Sequence, residues 1–473
     1  MSSSTAAGQV HNSVHRDWLQ RFATARARTD ELFGLVRPEA IYDRPIPERH
    51  RILFYLGHLE AFDANLILRD TFGIAPFHEK FDRLFAFGID PVGGKLPDDK
   101  PSDWPALHEI HDYVKRVRLA VDECVVRAAG VSLAHPHLEN DLIFHVAVEH
   151  RLMHAETLTY MLHHLPLNRK IAVFASAILE ATPITPRLVD IPAGIATLGL
   201  ERAGTGKSRQ SGGDNFGGKF GWDNEFEAHT IQVPAFAVDA YKVTNRQFLE
   251  FLHSGGYDER SHWTPDAWEW KTKNRIRHPG LWVAHGQDNS RLKSSDWHLK
   301  TMFDEIPLPL DWPVYVSHAE ASAYARWRHA ELPTEAQFHR AAWGTPQGGE
   351  REFPWADAAV EQKNTNWKTC GNFDFARWDP APVGAHLDGA SAFGVDELLG
   401  NGWEWTSTIF GPFAGFRAFS FYPGYSADFF DGKHYVMKGA SPRTAACFLR
   451  RSFRNWFQPH YPYIYAAFRC VQN

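Results

Sequence analysis

HVAVEHRLMHAETLTYML, residues 145–162, decides how the first third of the chain is read. The run has no Gly or Pro and is rich in helix formers, so it reads as a helix. His150 and His154 stand four residues apart, about 40° around the helix axis, and so share one face. Thr157 and Met161 continue that line, which predicts a face turned into a helical core. A single helix histidine is ordinarily solvated or satisfied within the core. Two imidazoles on one buried face need partners, and a metal ion supplies them.

A second helical run, FYLGHLEAFDANLILRD at 54–70, offers His58. His58, His150 and His154 are the candidate ligands, with Asp63 a weaker alternative. His145, His163 and His164 fall off the line. Glu156 lies about 200° around the helix from His154 and points elsewhere. Three imidazoles without a thiolate suit zinc, or non-heme iron(II) with positions left open for chemistry.

The surrounding sequence predicts four helices at about 14–36, 48–70, 104–129 and 139–164, a four-helix bundle over residues 12–165. Residues 166–186, with Pro166, Pro183 and Pro186, read as a linker. From 187 to 473 the pattern changes. Of 17 Trp, only Trp18 and Trp104 precede residue 200, and short apolar pieces alternate with Gly, Pro, Asn and Asp clusters. LVDIPAGIATLGL reads as strand. TNRQFLEFLHSG reads as a helix capped by Thr244, and SHAEASAYARWRHA as one capped by Ser317 with Glu320 closing a capping box. This half is predicted to be a loop-rich α+β domain.

The chain has 473 residues and a formal net charge of -6, which gives no basic footprint for nucleic acid. No apolar run reaches the roughly 20 residues that span a bilayer, and the N-terminus lacks a secretory apolar segment. Cys124, Cys370, Cys447 and Cys470 are scattered, which predicts reduced thiols and a cytoplasmic location. GTGKS at 204–208 imitates a phosphate loop, but Glu201 stands where the motif needs glycine.

YKVTNRQFLEFL (241–252), LPTEAQFHRAA (332–342), GNGWEWTST (400–408), KGASPRTA (438–445) and AAFRCV (466–471) together resemble the formylglycine-generating-enzyme-like domain. That resemblance implies a C-type-lectin-like fold over 187–473. The catalytic form carries two nearby cysteines where this chain has Cys447 alone, so cysteine oxidation is not expected. A DinB-like bundle with three histidines followed by this domain resembles the ergothioneine-pathway sulfoxide synthases. The family's H-x3-H-x-E falls on His150, His154 and Glu156, and its earlier histidine on His58. The resemblance implies an Fe(2+) enzyme that uses O2 to join a chalcogen to the imidazole of hercynine, with small-molecule substrates and no nucleic-acid or membrane partner.

Two departures bear on the donor. Relatives that use γ-glutamylcysteine carry arginines after helix two; here Arg83 is present, but Gly88, Ile89 and Asp90 follow. A less anionic donor, such as a sugar, is expected. The family's active-site tyrosine falls on Phe430 in FFDGKHY, so Tyr425 or Tyr435 is the candidate proton donor. The segment 422–471 resembles the selenoneine synthase branch, which joins a selenosugar to hercynine. The alternatives are a C–S-forming ergothioneine-type synthase using a thiol, a zinc-dependent DinB-type thiol transferase, and a non-catalytic binding module. By resemblance Asn455 and Trp456 contact hercynine, Trp403 and Trp405 are structural, and Asn401 and Glu404 are candidates for a structural Ca(2+).

Overall fold

A computed structural model describes residues 3–86, 98–130, 135–173, 179, 184–202, 220–286, 292–356 and 367–473. Gly88–Asp90 and the 204–208 segment lie outside the described residues. The chain divides into two compact units, Met1–Val173 with Ser208–Phe220, and Phe174–Lys207 with Gly221–Asn473.

The first unit is helical. α1 spans Ser3–Gly34, α2 Ile52–Asp63, α3 Glu79–Leu84, α4 Leu107–Gly130 and α5 Leu142–His164. The four long helices pack in the ring order α1, α5, α2, α4. α2 is the inner helix: Ile52–Ala61 and Asp63 are all buried, as a helix apolar on every side should be.

The boundaries differ from those expected for local reasons. α1 begins at Ser3, before the first periodic apolar residue, Trp18. α5 starts at Leu142 because Asn140 (φ 52°) and Asp141 (φ 56°) take the left-handed conformation that their short polar side chains tolerate. α2 does not run on as an α-helix; Ala64–Thr71 widens into a π-helix, a form that recurs near functional sites. α3 was not anticipated, since six residues are too short to show a helical period.

Glu60 and Asp63 of α2, Arg151 of α5, Arg118 of α4 and Asp30 of α1 tie the four long helices together by charge. Arg151 donates to Glu60 at 3.0 Å and to Asp63 at 2.9 Å. Arg118 donates to Glu60 at 2.9 Å and to both oxygens of Asp30 at 2.7 Å. Burial opposes ionisation of Glu60, but Arg151 and Arg118 hold its carboxyl below the usual range. Burial dominates at Asp63 and raises it to about 6, against Arg151.

The second unit has little regular structure. Its longer helices are α6 Asn245–His253, α7 Pro265–Lys273, α8 His318–Trp327 and α9 Glu335–Trp343. α6 and α8 start at the expected caps: Thr244 accepts from Gln247 N–H and Ser317 from Glu320 N–H, each closing a capping box. The strands are β1 Leu188–Ile191, β2 Gly194–Leu198, β3 His229–Val233, β4 Phe236–Asp239, β5 Trp282–Ala284, β6 Trp297–Lys300, β7 Glu305–Pro307, β8 Gly402–Ile409, β9 Tyr435–Ala440, β10 Asn455–Phe457, β11 Ala466–Ala467 and β12 Val471–Gln472. They form small sheets ordered β1-β4-β12, β10-β9-β8-β11, β2-β3 and β5-β6-β7.

The LVDIPAGIATLGL segment forms β1 and β2, as expected. A core of Phe338, Trp343, Phe373, Val395 and Leu398 packs against these short strands. Aromatic bulk replaces extended ladders as the source of buried apolar area. Trp403 and Trp405 are buried, and Trp405 donates its indole N–H to the Val316 carbonyl at 2.9 Å, which supports their structural role.

The calcium expectation does not hold. Glu404 accepts from Lys242 at 2.8 Å and from Arg469 at 2.6 and 2.8 Å, all three fully buried. Asn401 is bonded to Ala381, Asn372 and Glu397. Two cations already neutralise the carboxylate, and a third would be repelled.

Candidate metal centre

α2 and α5 carry His58, His150 and His154 to one point. His58 Nε2 stands 3.2 Å from His154 Nε2, which stands 3.1 Å from His150 Nε2. All three imidazoles are buried. Ligands about 2.1 Å from one ion and near right angles to each other stand about 3 Å apart, so this spacing fits a shared metal.

The chemistry of the donors agrees. The Phe85 carbonyl lies 2.8 Å from His58 Nδ1 and fixes a proton there, which leaves the Nε2 lone pair for the ion. Burial pushes His58 down to about 4 and keeps His150 and His154 well below the ordinary imidazole range, with neighbouring imidazoles and Arg151 adding to the effect. Three neutral imidazoles are the form a divalent ion requires. Asp63 is not in this group. Its side chain is engaged by Arg151, and among the described residues the converging donors are the three histidines. Glu156 is likewise outside the group, as the helix geometry predicts.

Aromatic rings wall the centre. Phe62 stacks on His150 with centroids 3.6 Å apart and planes 11° apart, and Phe54 stacks on His58 at 4.9 Å. Neither partnership was visible in the sequence, because the stacks join side chains through helix packing. Gly57 left a clearer trace, as a glycine inside a helix of bulky residues. A Cβ there would stand 2.5 Å from the Phe85 ring. The glycine therefore admits Phe85, whose carbonyl orients His58. Gly57→Ala should displace Phe85 and lower metal affinity about 10-fold or more, read by competition with a chelator. An unchanged affinity would rule out this orienting role.

In the second unit, Trp456 stacks on Phe410 at 4.2 Å, with Tyr425 edge-on at 5.5 Å and Phe429 at 5.6 Å. Phe430 packs against the same Phe410 at 5.0 Å. Tyr425 also stacks on Trp222 at 4.0 Å. Asn455 turns its side-chain oxygen to the Trp456 N–H at 2.9 Å. Thus Tyr425, Phe430, Asn455 and Trp456 belong to one aromatic cluster. Tyr435 instead stacks on His318 at 3.8 Å. Arg83 lies exposed on α3, paired with Glu79 at 2.5 Å. The four cysteines are free, and three are buried. Among the described residues no helix is long and apolar enough to cross a membrane.

Residues 177–473 match the family model of the sulfatase-modifying factor enzyme 1-like domain. The hercynine oxygenase of Mycobacterium tuberculosis is 36% identical over 249 residues, covering 52% of this chain and 55% of that protein. Ergothioneine biosynthesis protein 1 of Neurospora crassa is 28% identical over 528 residues, covering 97% of this chain and 57% of that protein. The formylglycine-generating enzyme of Mycobacterium tuberculosis is 28% identical over 268 residues, covering 48% of this chain and 75% of that protein. The chain spans about half the length of the first two relatives. Since the family model runs over more than half of its residues, the chain belongs to the sulfatase-modifying factor enzyme 1-like domain family.

Proposed function

We propose that this chain is an O2-dependent non-heme iron(II) enzyme that joins a chalcogen to the imidazole ring of hercynine. The observation that carries the reading is the convergence of the three Nε2 atoms on one point. Relatives named hercynine oxygenase and ergothioneine biosynthesis protein 1 support the choice of substrate. When bound here, iron(II) would supply dioxygen activation, with O2 as the oxidant that allows a C–H bond to be exchanged for a carbon–chalcogen bond.

The remaining work falls to side chains. His58, His150 and His154 hold the ion, and the Phe85 carbonyl keeps His58 in the right tautomer. Trp456 presents an aromatic face suited to the quaternary ammonium of hercynine, and Asn455 a polar group beside it. Phe430 has no proton to give. Of the two tyrosines, Tyr425, edge-on to Trp456, is the proton donor in this reading; Tyr435 is stacked on His318. Tyr425→Phe should slow product formation about 100-fold while hercynine binding is kept, as read by quenched-flow assay and calorimetry. An unchanged rate would remove Tyr425 from the mechanism.

The donor in this reading is a selenosugar, giving a selenoneine-type product. The support is the Gly88–Ile89–Asp90 stretch, which lacks the guanidiniums that would clamp a doubly carboxylated peptide. The test supplies anaerobically purified, iron-loaded protein with hercynine, air and either a selenosugar, a thiosugar or γ-glutamylcysteine, and ranks products by mass spectrometry. Fastest turnover with the selenosugar is expected. Product from γ-glutamylcysteine alone would overturn the donor assignment, and turnover without oxygen would overturn the oxygenase in favour of a zinc-type thiol transfer.

A further inference from the structure

A second set of metal-ligating side chains stands on the β5-β6-β7 sheet. His285 directly follows β5, His298 lies in β6, and Glu305 opens β7. One donor atom from each lies within 4.8 Å of the others.

The strand register explains the grouping. Val283 pairs with His298, and Lys300 pairs with Glu305. Side chains alternate along a strand, so residues 283, 285, 298, 300 and 305 share one face. The other face carries Trp282, Trp297 and Leu299, all buried. Buried tryptophans anchor the sheet from beneath, so the outward residues are presented by fixed backbone rather than by a loop.

Among the described residues, the local hydrogen bonding leaves one buried ring nitrogen unpaired. His285 Nε2 lies 2.7 Å from Glu305 Oε1, so one proton satisfies that pair. The His298 ring lies 4.2 Å from the His285 ring. His298 Nδ1 is a buried atom with no hydrogen-bond partner among the described residues. Protonating both imidazoles would set two cations side by side. A divalent ion instead satisfies two imidazoles and a carboxylate together.

We propose that His285, His298 and Glu305 form a second divalent-metal site that pins β5, β6 and β7 to one another. Two nitrogens and one oxygen select borderline transition ions such as zinc, nickel or cobalt over calcium and magnesium, which prefer all-oxygen cages. Half of the His285 side chain is exposed, at 52%, so water or a solute completes the coordination. That exposure makes this the weaker of the two centres, since the three histidines of the first are all buried. The site stands independently of the function proposed for the three-histidine centre.

The test titrates zinc into metal-stripped, full-length protein, with bound ion counted by equilibrium dialysis and elemental analysis. Wild-type protein should take up two equivalents. His298→Ala and Glu305→Gln should each bind one, with at least a tenfold loss of the weaker affinity. His154→Ala should also bind one, and zinc should raise its thermal midpoint; the His154→Ala/His298→Ala double variant should lose that rise. If His298→Ala and Glu305→Gln bind as many ions as the wild type, the proposal is overturned. A wild type that binds a single equivalent, removed by His154→Ala, overturns it equally.

Discussion

His154→Ala should abolish iron binding at the three-histidine centre and, with it, turnover. His154 is the middle member of the group: its Nε2 lies 3.2 Å from that of His58 and 3.1 Å from that of His150. Alanine removes one of three donors and leaves two imidazoles facing a buried void. Loss of an orienting partner alone costs about 10- to 100-fold in affinity, so loss of a ligand should exceed 100-fold. Product formation should fall at least about 1000-fold, equivalent to ~4 kcal/mol of lost transition-state stabilisation. Iron content by elemental analysis and product by mass spectrometry read the two effects separately. A variant that loses iron yet keeps its rate would refute catalysis at this centre. One that keeps iron would refute the ligand assignment.

Glu404→Gln should strongly destabilise the second unit. The substitution keeps the shape of the side chain and deletes its charge. Lys242 and Arg469 then lose the buried carboxylate they are hydrogen-bonded to, and removing one partner of a buried ion pair costs about 3–5 kcal/mol. Burial already lowers Lys242, and Glu404 offsets part of that effect. Urea unfolding followed by tryptophan fluorescence reads this unit, since just two of the 17 Trp precede residue 200. A loss below about 1 kcal/mol would show that the cluster contributes little beyond packing. Added calcium should leave the wild-type midpoint unchanged, because the carboxylate is already held by two cations.

The same residue marks where sequence reading fails. In GNGWEWT, Glu404 looks like an oxygen ligand on a polar turn, and nothing nearby in the chain reveals its partners. Lys242 and Arg469 come from segments 162 and 65 residues away. The Asp63 alternative fails in the same way: its partner, Arg151, is 88 residues distant. Pairing of charges in a core is set by which segments the fold brings together, and a periodicity carries no information about that. Helix starts missed by a few residues have a different origin. Asn140 and Asp141 adopt left-handed backbone, a preference of those residue types that does not oblige them to take it at any one position.

What the sequence determined by itself was local. The i, i+4 spacing placed His150 and His154 on one face, and the Thr244 and Ser317 caps located the starts of α6 and α8, because these depend on contacts within a turn or two of helix. It also separated a helical first part from an aromatic, loop-rich remainder. The tertiary structure alone decided that His58 reaches the pair from 96 residues away, that the Phe85 carbonyl fixes its tautomer, and that Glu404 is closed to calcium. It alone gathered His285, His298 and Glu305 onto one sheet face, since strand register, not spacing along the chain, sets which side chains are neighbours. Contacts within a helical turn are written in the spacing of residues; contacts between segments are set by packing, and three histidines become one centre when two helices pack together.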